Sequence, residues 1–136
     1  MRKSKLLPLL FILFIGGAAQ AQSIKQVQEI LEQFCRENYD DFFRPCQYKA
    51  GSLKVTNITP EGGLIKVEGI HSYRGRHFPL AGRLFPYPDR KFYAEMWHHG
   101  QGYKVKFWRL KKYYLQIPHI TDPKWEGPYE GFVLPY

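Results

Sequence analysis

The chain has 136 residues, of which 44% are apolar and 17% aromatic, with 20 Lys/Arg against 12 Asp/Glu for a net charge of +8. A chain of this length fits one small domain with a single core. Its most continuous apolar run, residues 6–15, is about half the ~20 residues a spanning helix needs, which excludes a membrane anchor of the ordinary kind.

The first segment reads as an address. Arg2, Lys3 and Lys5 precede that apolar run, and Ala19-Gln20-Ala21 supplies a small-x-small cleavage site, the order of a secretory signal peptide. Residues 1–21 are therefore expected to be removed, leaving a single α+β domain over 22–136 that is exported to the periplasm or beyond. Cleavage takes three cations with it, so 17 basic residues face 12 acidic ones and the net charge falls to +5. A balance of this size suits acidic partners and simple solubility alike.

Export also bears on Cys35 and Cys46, which lie eleven positions apart in a chain bound for an oxidising compartment. A disulfide between them is the expectation. A helix is expected from Ser23 to about Tyr39. Ser23 and Gln26 have the spacing of a capping box, and Ile24, Val27, Ile30, Leu31, Phe34 and Cys35 recur along one stripe. Residues 40–45 should break it.

From there to about residue 117 the pattern is antiparallel β. Leu53, Val55 and Asn57 lead to a turn at residues 59–63, and Ile65, Val67 and Gly69 return, with Val55 opposite Val67 and Lys54 opposite Glu68. A further turn is expected at residues 74–77, then a strand over 78–85, which a four-residue loop would bring to Glu68 through Arg83. Residues 86–89 cross into a central hairpin. There Phe92, Ala94 and Met96 alternate with Tyr93, Glu95 and Trp97, and Tyr103, Val105 and Phe107 alternate with Lys104, Lys106 and Trp108. Met96 opposite Tyr103 and Glu95 opposite Lys104 satisfy both hydrophobic phase and charge, with a loop over 97–102. The last strand continues to about Ile117, bulged at Lys111 and Lys112. Pro118, Pro123, Pro128 and Pro135 then punctuate a tail (118–136) that also holds Trp125, Tyr129, Phe132 and Tyr136. Such a tail excludes a helix and a central strand and packs onto the domain, with the aromatic face as one place to land.

The resulting layout is one N-terminal helix packed on a curled antiparallel sheet of about five strands. In element order it resembles the cystatin-like and NTF2-like rolls, folds that carry enzymes, binding modules and inhibitors alike, with no motif residues to transfer.

Chemistry-bearing residues are sparse. His98 and His99 are adjacent at the tip of the central hairpin, and His71 and His77 flank another turn; with His119 they are expected on surface or loops, without the converging spacing of a metal site. Glu68 and Glu95 are accounted for as partners of lysines, and neither a catalytic constellation nor a cofactor motif emerges. What remains is the hairpin face bearing Tyr93, Trp97, Lys104, Lys106 and Trp108, with His98 and His99 at its rim. Interleaved rings and cations suit sugars, acidic glycans in particular, and single-stranded nucleic acid; in an exported protein, nucleic acid ranks lower. The expected function is a non-enzymatic binding protein for an anionic polysaccharide or another envelope polymer. A small hydrolase using the histidines and an inhibitor of a protein partner are the alternatives.

Overall fold

The computed structural model describes residues 17–77, 80–110 and 125–135, with side chains over 24–76, 83–110 and 125–135. Helix α1 spans Gly17–Phe42. Val27, Ile30, Leu31, Phe34, Cys35 and Tyr39 form its buried stripe, and Phe43 extends it beyond the last turn. The helix starts six positions before Ser23, within residues expected to belong to the leader. Ser23 is therefore internal to the helix and not its first residue; Gln26 Oε1 is buried without a partner among the described residues. The end at Phe42 lies shortly before Pro45, whose ring disfavours helical geometry in the residue preceding it.

The sheet comprises β1 (Gln47–Tyr48), β2 (Lys54–Glu61), β3 (Leu64–His77), β4 (Leu80–His99), β5 (Gly102–Leu110) and β6 (Trp125–Val133). All neighbours are antiparallel. The order is β3-β4-β5-β6, with the short β1 and the longer β2 both pairing with the outer side of β3. Five long strands thus curl as a half-barrel around α1, the α+β arrangement expected. Phe92 stacks on Phe107 at 5.2 Å in its centre, and Val67, Ala94, Met96 and Val105 complete a solvent-free layer. Gly131 lets α1 close on β6, because a Cβ there would lie 2.7 Å from the Phe34 ring.

The register departs from expectation at a tighter turn and at two bulges. β4 pairs with β5 through Met96 opposite Val105 and Glu95 opposite Lys106, two residues from the expected pairing. The turn is tighter than expected, confined to Gly100 and Gln101, with Gly100 in the left-handed region at φ 62°. A shift of two keeps every side chain on its expected face. In β2 a bulge between Val55 and Asn57 turns both Thr56 and Asn57 outward, and the strand runs through Pro60 to Glu61 before a turn at Gly62-Gly63. Val67 accordingly faces Ile58, not Val55, and Glu68 faces Asn57, not Lys54. Proline is admissible there because β2 is an edge strand. Residues 86–89 are no crossing. β4 is one 20-residue strand that bulges at Asp89 (φ 52°), whose N–H donates to Ser72 Oγ at 3.0 Å, and β3 runs on to His77 instead of turning at residue 74. Glu68 consequently faces Tyr93 on β4, and Arg83 lies elsewhere.

Cys35 and Cys46 are free, buried thiols, which corrects the expected disulfide. Each has its own setting. Cys35 belongs to the apolar stripe of α1, where burial pushes its thiol well up, and Cys46 Sγ accepts from Arg109 Nη1 at 3.4 Å. Of the tail, residues 125–133 form an edge strand, and Tyr129 stacks on Phe42 at 5.3 Å. The expected continuation over 111–117, the residues 118–124 and His119 lie outside the described residues.

Candidate ligand-binding groove

Two concentrations of polar and aromatic side chains flank the sheet, one inside the half-barrel and one outside. The inner one centres on Arg109, which follows the inward phase of β5 and is 5% exposed. Its Nε donates to Glu126 Oε1 at 2.7 Å and its Nη1 to Tyr39 Oη at 3.0 Å, while the guanidinium lies over the rings of Phe43 (4.1 Å) and Tyr73 (4.5 Å). A buried cation held this way is paired and satisfied, as it must be to tolerate desolvation.

His71, expected at a turn, is wholly buried in this cluster. The Arg90 carbonyl can only accept, so His71 Nδ1–H donates to it at 2.7 Å, and Nε2 accepts from the Tyr39 hydroxyl at 2.9 Å. The imidazole is thereby fixed as one neutral tautomer, and burial pushes its pKa down to about 4. Tyr39, Cys46, His71 and Arg109 are engaged with one another in the core.

The outer concentration is open. A groove of about 690 Å³ lies on the face of the sheet turned away from α1, with Tyr93, Trp108 and Trp125 as its aromatic wall and Thr56, Glu68 and Lys91 as its polar residues. Local backbone features build it. Tyr93 and Trp108 are directly opposed on β4 and β5, with ring centroids 5.1 Å apart and planes inclined at 42°. The β2 bulge turns Thr56 outward, where its hydroxyl donates to the Glu68 carbonyl at 3.2 Å. Gly127, with φ 134°, lets β6 pass Trp108; a Cβ there would lie 2.6 Å from the Phe107 carbonyl and 3.0 Å from the Trp108 ring. Trp125 then stands at the start of β6, 38% exposed. Burial, assisted by a 2.8 Å hydrogen bond donated to Glu95 Oε2, pushes the Tyr93 hydroxyl up to about 12, so this ring is neutral and held in place.

The face is mixed in charge. Lys66 pairs with Glu61 at 3.1 Å and lies opposite Glu95. Lys106 is flanked across the strands by Glu95 and Glu130, and its ammonium lies 5.9 Å from the Trp97 ring centre. Of the residues expected to form the site, Tyr93 and Trp108 meet in the groove. Trp97, Lys104 and Lys106 share the face but lie farther along it. The histidines separate: His99 packs near Phe132, whereas His98 packs at 4.5 Å on Tyr103, which belongs to the inner face. Trp125, Thr56, Glu68 and Lys91 are additions. Trp125 was visible only as one aromatic in a proline-dense tail, and Glu68 is released for the groove by the bulge that breaks its expected pairing.

The molecule is thus an α+β half-barrel with a closed polar core and an aromatic groove on its outer face. Comparison with protein-family models, with characterised proteins and with solved structures finds no match. No group of three His, Cys, Asp or Glu side chains able to hold a metal converges among the described residues.

Proposed function

We propose that this protein is an exported, non-enzymatic binding protein that takes a ring-bearing ligand against Tyr93, Trp108 and Trp125. The observation that carries this is the convergence of three rings from β4, β5 and β6 on one groove of about 690 Å³. That volume falls in the ~300–1,000 Å³ range of small-ligand sites, and rings fixed by strand pairing present flat contact area at little entropic cost. Export is supported by Arg2, Lys3, Lys5, the apolar residues 6–15 and Ala19-Gln20-Ala21. Among the described residues no helix is long and apolar enough to cross a membrane.

Tryptophan emission of the chain over 22–136 tests the proposal. Efficient acrylamide quenching, with a large share lost in Trp125→Phe and Trp108→Phe, is the expected result. Quenching that is carried by Trp97 alone would contradict it.

A further inference from the structure

The groove's polar residues say what kind of ring it takes. We infer that its ligand is a neutral, hydroxyl-rich ring, a saccharide, in place of a polyanion; this rests on the groove being the binding site. Among its charged residues are Glu68 and Lys91, one of each sign. A carboxylate beside the stacking rings accepts hydrogen bonds from hydroxyls and repels phosphate, sulfate or uronate groups. An ammonium donates to ring or hydroxyl oxygens, and the Thr56 hydroxyl, which donates to the Glu68 carbonyl, keeps lone pairs for a ligand donor.

Such a set complements the two surfaces of a pyranose. Its C–H face lies on an aromatic ring, and its hydroxyl edge meets mixed donors and acceptors. A site for polyanions would instead line a groove with cations of one sign along a backbone of repeating charge. Here two of the nearby lysines face acids, Lys66 paired with Glu61 and Lys106 opposite Glu95 and Glu130 across the strands, whereas Lys104 lies between Trp97 and Phe132. The inclined Tyr93 and Trp108 planes offer a bent platform, which suits consecutive sugar rings better than a parallel stack of flat bases.

The test is calorimetric titration of the chain over 22–136 with neutral oligosaccharides of the glucose and N-acetylglucosamine series, with heparin and with oligothymidine, at low and high salt. The expected result is binding of a neutral oligosaccharide with an affinity indifferent to salt, weakened roughly thirtyfold in Trp108→Ala. Because Trp108 is half-buried, Glu68→Gln is the second variant; it lies on the exposed surface, keeps the fold, and is expected to weaken the same ligand roughly tenfold. Binding of heparin or oligothymidine that fades with salt and is lost in Trp108→Ala would overturn the neutral ligand in favour of a polyanion while leaving the groove as the site. Failure of every neutral oligosaccharide would overturn the saccharide inference. Self-association that hides Trp108 and Trp125 from acrylamide would overturn the saccharide and the groove together.

Discussion

Tyr93 and Trp108 stand directly opposite each other on neighbouring strands, 5.1 Å between ring centres, on the face of the sheet that α1 does not cover. Aromatic cross-strand pairs of this kind stabilise a sheet by about 0.2–1 kcal/mol, so the pair serves the fold as well as the groove. Trp125 lies opposite Leu110, with no aromatic cross-strand partner among the described residues, and is 38% exposed.

The neutral state of His71 makes stability depend on pH in a defined direction. Its folded pKa of about 4 lies below the ordinary 6.5, so the unfolded chain binds a proton over an interval in which the folded chain does not. The contribution is complete above pH 6.5 and is lost as pH falls through 4, amounting to about 3 kcal/mol. Denaturant titrations at pH 7, 5.5 and 4 should show His71→Gln losing stability less steeply than the parent as pH drops. Equal slopes would contradict the buried neutral imidazole.

Cys35 and Cys46 should count as two thiols. In native buffer both are shielded, so alkylation is expected to be slow; in denaturant without reductant, two groups should react per chain. Mass spectrometry showing no alkylation under denaturing, non-reducing conditions would establish a disulfide instead.

Tyr73 is 1% exposed, and its hydroxyl has no hydrogen-bond partner among the described residues, although the ring packs on Tyr87 and under Arg109. An unpaired buried hydroxyl costs about 1–3 kcal/mol, so Tyr73→Phe should raise the denaturation midpoint or leave it unchanged. A loss of more than about 1 kcal/mol would show that the hydroxyl has a partner that stabilises the fold.

Alternation made much of the fold legible. The inward set Phe92, Ala94, Met96, Val105 and Phe107 and the outward set Tyr93, Trp97, Lys104, Lys106 and Trp108 follow from a period of two, and that division survives the two-residue shift in register. The failures cluster where one extra residue enters a strand. The bulge at Thr56 breaks the phase of β2, and Asp89 in the left-handed region allows Pro86 and Pro88 to sit inside a continuous β4. Alternation puts Arg109 and His71 in the inward phase, but local pattern could not show what satisfies them there, because their partners come from α1, β4 and β6, remote in sequence. The groove was half-visible for the same reason: Tyr93 and Trp108 lie within one hairpin, whereas Trp125 reaches them only through the pairing of β6.

The most direct measurement is the tryptophan indole region of a proton–nitrogen correlation spectrum, recorded as the neutral oligosaccharide series is added. Trp97, Trp108 and Trp125 each give one signal, and assignment follows from single Trp→Phe variants. The account predicts that the Trp108 and Trp125 signals move together with increasing ligand while Trp97, farther along the same face, stays in place. Movement of Trp97 alone, or no movement of any indole across the series, would contradict it.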